Sequence, residues 1–297
     1  MRRSILTATL VAIYLAGSVS ITAPTADAAF PGMAGRIVFH RLVQGHGDIF
    51  TIKPDGSGLR RLTDNGTVND FDPAWSHDGK QVVFVRTEHD REHVFVMDSD
   101  GSHVRRVTSG KGADRNPTWS PDGTRIAFDR VLPGTHNVEL FIVEADGSNL
   151  TRFTHRHGID SDPSWSPDGL TIAYSRADPG EQVWTKPVAV GAGSPLITDT
   201  ASDPDWSPDG QRIAYVGPGG DQEDIWVADA DGTNAEEIGT MTEYGGFAPA
   251  WSPEGNRIAF SLGCAHGGCG GIDIVKADGT GLVHLTSGYA PSWRPVS

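Results

Sequence analysis

The stretch Pro117-Thr-Trp-Ser-Pro-Asp-Gly123 decides the fold, because it recurs along the chain. The other copies, complete or shortened, are Pro73-Ala-Trp-Ser-His-Asp-Gly79, Pro163-Ser-Trp-Ser-Pro-Asp-Gly169, Pro204-Asp-Trp-Ser-Pro-Asp-Gly210, Pro249-Ala-Trp-Ser-Pro-Glu-Gly255 and Pro291-Ser-Trp-Arg-Pro295. Their spacing of roughly 40–45 residues is a period typical of propeller blades. The sequence is therefore an array of similar structural units.

Each copy of the repeat predicts four short strands, which we name A to D in chain order. Ser-Pro-Asp-Gly is a turn, because proline presets φ and glycine accepts a positive φ. An apolar run such as Ile126-Ala-Phe128 follows it, and a later Asp-Gly pair predicts a second hairpin turn. One antiparallel sheet of this kind cannot bury both of its faces, so the sheets must pack against each other.

The two ends of the repeat array complement each other. Residues 35–63 contain a B, a C and a D strand with no A strand before them, and Pro291–Pro295 is an A strand with nothing after it. The sequence therefore predicts an all-β, six-bladed propeller of four-stranded antiparallel blades, closed by the C-terminal strand in the first blade. An open solenoid is the alternative, but it would make the matching ends a coincidence.

The repeat Asp-x-x-Pro-x-Trp-Ser-Pro-Asp-Gly resembles the TolB-type, WD40-like (PD40) β-propellers. The resemblance covers nearly all of the chain after the first 28 residues and rests on five near-complete copies. It implies the propeller fold and a protein-interaction role of the TolB kind. It does not fix the function, because function depends on sites that differ between proteins of one fold.

The N-terminus has the pattern of an export signal. Arg2 and Arg3 precede the apolar segment Ile5–Ile21, and Ala26-Asp27-Ala28 has the small-x-small form of a cleavage site. We therefore expect a signal peptide at 1–28, a propeller domain at 29–297, and a secreted, periplasmic or cell-envelope location. An uncleaved membrane anchor is the alternative, and the export route stays open.

Composition limits the partners. The formal net charge is −14, which disfavours nucleic acid and anionic lipid because both are bound by Lys and Arg. No stretch after the signal is long and apolar enough to span a membrane. We expect a monomer with a protein or peptide partner.

The two cysteines, Cys264 and Cys269, are separated by four residues. A redox Cys-x-x-Cys motif has two intervening residues, and the single histidine between these cysteines does not complete a zinc site. In an oxidising compartment the pattern favours a small local disulfide.

Three aspartates precede the repeat proline by three residues, and each has an arginine sixteen residues later. The pairs are Asp70 with Arg86, Asp114 with Arg130, and Asp160 with Arg176. A hairpin that turns midway places the two members opposite each other, which predicts structural ion pairs across strands A and B. The alternative is an acidic funnel that includes Asp72, Asp162 and Asp203 and binds a cation such as Ca²⁺. No cofactor is otherwise expected.

The pattern fails in the composite first blade. Arg41 lies on its strand B but has no aspartate at the matching position, and Phe247 and Tyr289 lie nearby, where two other blades carry Ser. These residues, with Asp72, Asp162 and Asp203, are the predicted partner-binding set. An apolar anchor joined to a carboxylate would suit Arg41 and the aromatic rings. Ordinary variation of the rim is the alternative.

The leading functional interpretation is a non-enzymatic interaction module, because no recognisable nucleophile–base pair is present and no catalytic residue is predicted. The alternatives are a lyase or hydrolase acting on polysaccharide or a small molecule, and a cation- or sugar-binding envelope protein.

Overall fold

The structure, a computed structural model, describes residues 35–177, 180–219, 222–238, 245–265 and 268–295. Within these ranges all regular secondary structure is β-strand. In chain order the strands are β1 (Ile37–Val43), β2 (His46–Ile52), β3 (Arg60–Arg61), β4 (Asp70–Trp75), β5 (Gln81–Glu88), β6 (Arg91–Asp98), β7 (Arg105–Arg106), β8 (Ala113–Trp119), β9 (Arg125–Val131), β10 (Val138–Glu144), β11 (Thr151–Arg152), β12 (Ile159–Trp165), β13 (Thr171–Ala177), β14 (Glu181–Pro187), β15 (Ser194–Ile197), β16 (Ser202–Trp206), β17 (Arg212–Pro218), β18 (Glu223–Asp229), β19 (Glu236–Glu237), β20 (Gly246–Trp251), β21 (Arg257–Leu262), β22 (Cys264–Ala265), β23 (Gly268–Cys269), β24 (Ile272–Lys276), β25 (Val283–Thr286) and β26 (Tyr289–Trp293).

The strands form units of the predicted A-to-D type. Four separate four-stranded sheets have the orders β26-β1-β2-β3, β4-β5-β6-β7, β16-β17-β18-β19 and β20-β21-β24-β25. The third and fourth repeats, β8 to β11 and β12 to β15, belong to one eight-stranded sheet. The all-β propeller is therefore confirmed.

The prediction of six separate blades needs a correction, because only four of the sheets stand alone within the described residues. The third and fourth units are joined by a single parallel bridge between Val138 of β10 and Ile159 of β12. The Val138 amide donates to the Gly158 carbonyl across this junction, at 3.1 Å. The repeat motif does not reveal this bridge, because it joins the first residues of two strands, β10 and β12, and both of these residues lie outside the motif.

The last strand pairs with the first. In β26 and β1, Trp293 lies opposite Ile37 and Ser292 lies opposite Val38. The Arg294 amide continues the pairing by donating to the Arg36 carbonyl at 2.7 Å. The strand that begins the first unit therefore comes from the far end of the chain, which leaves no open edge at β1.

The cores lie between units. Each hydrophobic cluster combines residues of two consecutive units, and one cluster joins Ile37, Phe39 and Trp293 to Ile272 and Ile274 of the preceding sheet. The others join the remaining neighbours in chain order around the ring. Since every sheet is covered on both faces by its neighbours, burial of apolar area closes the ring.

The repeated turn residues form the same bonds in successive units. In the second unit the Ser76 hydroxyl donates to Asp78 at 2.7 Å and accepts from the Gln81 amide at 2.9 Å. Gly79 has φ of +65°, which a side chain would strain. These turns, with the C–D turns, define one end of the ring, the turn face; the B–C and D–A connections define the other, the loop face.

The predicted signal peptide at 1–28 lies outside the described residues, so it stays a prediction. Within the described part of the chain, no helix has the length and apolar character needed to cross a lipid bilayer.

Replacing Trp293 tests the closure. Trp293→Ala should lower the free energy of unfolding by about 3–5 kcal/mol, because the ring packs in the core between the last and first sheets. Trp293→Phe should cost about 1 kcal/mol, since the buried indole N–H has no acceptor among the described residues. Urea denaturation measures both values. A loss below about 1 kcal/mol for Trp293→Ala would show that β26 does not complete the core.

Candidate functional site

A central channel of about 930 Å³ runs along the A strands. The repeat prolines and tryptophans of all the units line it, so its wall is built from the motif that decides the fold. Prolines of the A–B turns, such as Pro121 and Pro167, reach its lining from the turn face, and Leu42 reaches it from the loop-face end of β1.

One residue in each A strand has a left-handed backbone. It is the residue before the repeat proline, its φ lies between 47° and 53°, and the six examples are Asp72, Asn116, Asp162, Asp203, Ala248 and Ala290. The register of A against B shifts at this point in every unit. Asp and Asn tolerate this conformation better than other residues with a Cβ. All six residues line the channel.

The amide of this left-handed residue bonds to the preceding unit. His40, Asp129, Ser175 and Ser261 occupy one equivalent position on the B strands. Their side chains accept from the amides of Asp72, Asp162, Asp203 and Ala290 at 3.4, 3.4, 2.9 and 2.9 Å.

Two units have valine at that B-strand position, Val85 and Val216, and a valine side chain cannot accept a hydrogen bond. In these two units an aspartate carboxylate of the A strand accepts the bond instead. Asp203 accepts from the Ala248 amide at 3.1 Å, and Asp72 accepts from the Asn116 amide. A buried amide thus has an acceptor at each junction, as buried backbone groups require. This need for an acceptor explains why Asp72 and Asp203 are present in the channel.

The carboxyl groups gather on one arc of the channel. Asn116 bridges two of them by donating to Asp129 at 2.9 Å and to Asp162 at 2.7 Å. Burial, together with the nearby Asp162 charge, raises the pKa of Asp72 to about 7 and that of Asp129 to about 8. Burial and Asp162 also raise the pKa of Asp203 well above its usual value. Asp72, Asp162 and Asp203 keep a partial exposure toward the channel.

Aromatic side chains occupy the opposite arc. His40 stacks on Tyr289 with ring centroids 5.3 Å apart, and Phe247 stacks on Tyr289 at 6.4 Å. All three line the channel, where the neighbouring left-handed positions are Ala248 and Ala290. Burial lowers the pKa of His40 to about 4, so this imidazole is neutral at pH 7. The channel therefore has a carboxyl arc, formed by Asp72, Asp162 and Asp203 with the buried Asp129 behind them, and an aromatic arc, formed by His40, Phe247 and Tyr289.

Arg41, which the sequence predicts as part of the partner-binding set, contacts the end of the preceding unit. Arg41 has no ion pair within the described residues, but its guanidinium donates to the Thr286 hydroxyl at 2.5 Å and the Ser287 carbonyl at 3.1 Å. It also lies over the Phe50 ring, 5.3 Å from the centroid. Arg41 does not line the channel. It therefore anchors the end of β25 through these bonds, and its role in binding a carboxylate stays a prediction.

The three predicted Asp–Arg pairs lie opposite each other in the register of strands A and B. Arg86 binds Asp70 through two bonds of 2.7 and 2.8 Å, and Arg176 binds Asp160 through two bonds of 2.7 Å. In the third unit the distances from Arg130 to Asp114 are 2.5 and 2.9 Å. These pairs lie outside the channel lining. They stabilise the pairing of strands A and B, and the carboxyl groups that face the channel are different ones.

Metal binding has little geometric support. Among the described residues, no group of three or more His, Cys, Asp or Glu is arranged to hold a metal ion. Cys264 lies opposite Cys269 in the β22–β23 hairpin. Their side chains lie outside the described part of the chain, so the disulfide stays a prediction.

The architecture and channel define a β-propeller of repeated Trp-Ser-Pro-Asp-Gly units. The family model of the TolB beta propeller domain (PD40) matches residues 19–131 and 107–198, more than half of the sequence. The chain therefore belongs to the TolB β-propeller (PD40) family.

Comparison with individual proteins agrees with this assignment. An uncharacterized protein of Agrobacterium fabrum is 34% identical over 108 residues, 33% of this chain and 36% of that protein. The Tol-Pal system protein TolB of Geobacter sulfurreducens is 38% identical over 78 residues, 26% of this chain and 18% of that protein. The chain thus spans only a minor part of the length of these two relatives. The structure of TolB from Acinetobacter baumannii has a TM-score of 0.78 at 22% identity over 88% of this chain and 67% of that chain, which shows a shared fold.

Sequence reasoning missed the channel residues His40, Asn116 and Asp205, and the buried Asp129 behind the channel wall. His40 and Asp129 follow the apolar run of strand B, where an isolated polar residue among valines and serines is the available signal. Asp205 stands between the repeat Pro and Trp of the fifth unit. It accepts from the Trp251 amide at 2.9 Å and the Ser164 hydroxyl at 3.1 Å, and burial raises its pKa to about 7.

A double-mutant cycle tests the third-unit ion pair. Asp114→Ala should cost about 3–5 kcal/mol, because Asp114 is fully buried and Arg130 loses its partner. The Asp114→Ala/Arg130→Ala variant should lose about 2 kcal/mol less than the sum of the single variants. The same cycle on the more exposed pair Arg115–Glu92 should give about 0.5 kcal/mol. Additive losses at Asp114 and Arg130, measured by urea denaturation, would contradict a buried pair.

Replacing Asp205 tests the buried carboxyls. Because its folded pKa is raised to about 7, Asp205 is protonated in the folded state and ionised in the unfolded state between about pH 4 and pH 7. Wild-type stability therefore falls as the pH rises through this window. Asp205→Asn keeps an acceptor without the charge, so its stability relative to wild type should rise by about 1–3 kcal/mol from pH 5 to pH 8. Thermal unfolding at both pH values measures this. An unchanged difference would mean that Asp205 is ionised in the fold at both.

Proposed function

We propose that this protein is an exported, non-enzymatic interaction module, and that its channel binds a segment of a protein partner. The observation that carries the proposal is the pairing of a carboxyl arc with an aromatic arc in one cavity of about 930 Å³. A cavity of this size accepts a few side chains of an extended segment. Membership of the TolB β-propeller family supports an interaction role.

The chemistry of the channel favours a basic and apolar segment. The carboxyl arc can receive an ammonium or guanidinium group, which neutralises carboxylates that are costly to bury alone. The aromatic arc offers Tyr289 and Phe247 to an apolar side chain. The carboxylate-bearing ligand that the sequence suggested is not proposed for the channel, because Arg41 is not part of the channel lining.

The proposed location is the periplasm, the cell envelope or the extracellular space. The predicted signal peptide supports export, and the relationship to a Tol-Pal system protein supports an envelope role. The net charge of −14 supports a basic protein partner over nucleic acid. We propose that the propeller acts as a monomer.

The binding test uses the peptide acetyl-Gly-Lys-Phe-Gly-amide. Its affinity, measured by calorimetry, should rise about tenfold from pH 6 to pH 8, because Asp72, which lines the channel and has a pKa raised to about 7, must lose its proton to pair with the lysine. Two buffers with different ionisation enthalpies should reveal proton release. The Lys-to-Gln peptide should bind about tenfold more weakly at pH 8.

Two aspartate variants separate the channel from the overall charge. Asp162→Asn should weaken binding of the lysine peptide about fivefold, because Asp162 lines the channel. Asp146→Asn removes the same charge from an exposed C–D turn and should leave affinity unchanged. Equal losses in both variants would indicate a general charge effect and contradict a channel site.

A further inference from the structure

A second cavity lies on the outside of the ring, between the third and fourth units. Its volume is about 520 Å³, and its lining comes from β9 to β11 on one side and from the end of β14 and the turn after it on the other. We call it the lateral cleft. It shares no lining residue with the channel.

Two cations in the lateral cleft are held by aromatic rings. The Lys186 ammonium lies 3.8 Å from the centroid of the Phe153 ring, and the Arg125 guanidinium lies 4.9 Å from that of Trp165. Neither forms an ion pair within the described residues, whereas the third cation, Arg152, binds the buried Glu139. Burial without a carboxylate partner lowers the pKa of Lys186.

The C–D turn of the fourth unit differs from the others. Elsewhere this turn holds an aspartate that accepts the amide two residues later, as for Asp55, Asp100, Asp146, Asp231 and Asp278. In the fourth unit, residues 187–194 contain no acidic residue. The cleft is therefore the place on the turn face where the repeated negative charge is interrupted.

Apolar side chains surround the same turn. Val190 is 90% exposed and Leu170 is 66% exposed, the two highest values among the large apolar residues that the structure describes. Leu170 lies beside the cleft, because its carbonyl accepts from the amide of the lining residue Val188. In other units polar residues such as Lys80 and Thr124 stand where Leu170 does. Exposed apolar residues next to a cavity are typical of a binding surface.

We infer that the lateral cleft binds a peptide segment in which a carboxylate lies next to an apolar side chain. The carboxylate would bind Lys186 and Arg125, with the Asn149 amide group as a further donor in the lining. The apolar neighbour would cover Val190 and Leu170. Glu144, opposite Arg125 in the register, is the acid of this lining, so it limits the number of carboxylates that the cleft accepts.

The test measures binding of acetyl-Gly-Leu-Glu-Leu-Gly-amide by calorimetry. The Glu-to-Gln peptide and the Leu-to-Ser peptide should each bind at least about fivefold more weakly. Lys186→Met keeps the contact with Phe153 without the charge, and it should weaken binding of the first peptide about fivefold. Lys80→Gln removes an equal charge from the A–B turn of the second unit and should have no effect.

Val190→Glu provides an independent check, because this exposed position tolerates substitution without disturbing the core. The added carboxylate should repel the acidic peptide and abolish measurable binding at about 1 mM. Binding that is equal for the Glu and Gln peptides, or unchanged in both Lys186→Met and Val190→Glu, would overturn the inference, as would the absence of binding to the wild-type protein. None of these outcomes affects the channel, which takes the opposite charge.

Discussion

Each A strand carries a left-handed residue before its proline, and the amide of that residue must find an acceptor in the neighbouring unit. This requirement repeats at the junctions of the ring, where backbone amides are hidden from water. A histidine, an aspartate or a serine of strand B supplies the acceptor at four junctions. At two others an aspartate of the A strand does so. The same bond thus links each unit to its neighbour, and it favours polar side chains next to the channel.

Using carboxylates as acceptors has an electrostatic consequence. A serine accepts a hydrogen bond without charge, whereas Asp72, Asp129 and Asp203 bring three acids close to Asp162. Their pKa values rise because the ionised forms lose water and repel each other. The fold therefore holds part of this cluster protonated near neutral pH. A cation that enters the channel would displace those protons. The carboxylates that accept the amide bonds between units therefore also give the channel a preference for a positively charged ligand.

The sequence predicts what the repeat contains. Turn chemistry and spacing were enough for the strands, for the register that sets Asp114 opposite Arg130, and for the pairing of the last strand with the first. The repeat pattern did not predict the side-chain contacts between units. Asp129 and Asn116 meet Asp162 of the next unit, and Arg41 meets Thr286, which is 245 residues away in the chain. The bridge from Val138 to Ile159 arises between segments that the motif does not include.

Symmetry explains why departures from the repeat mark the candidate sites. A residue that recurs in every unit, such as the tryptophan before Ser-Pro-Asp-Gly, satisfies a packing need that each junction shares. A residue that differs from the repeat at its position is not explained by this shared packing requirement. Phe247 and Tyr289 stand where Arg115, Ser161 and Ser202 stand in the third, fourth and fifth units, and the acid-free turn around Val190 replaces an Asp-Gly turn beside Lys186. The two departures create surfaces of opposite charge preference on separate parts of the ring. One propeller can therefore hold a basic segment in its channel and an acidic segment at its side without competition between them.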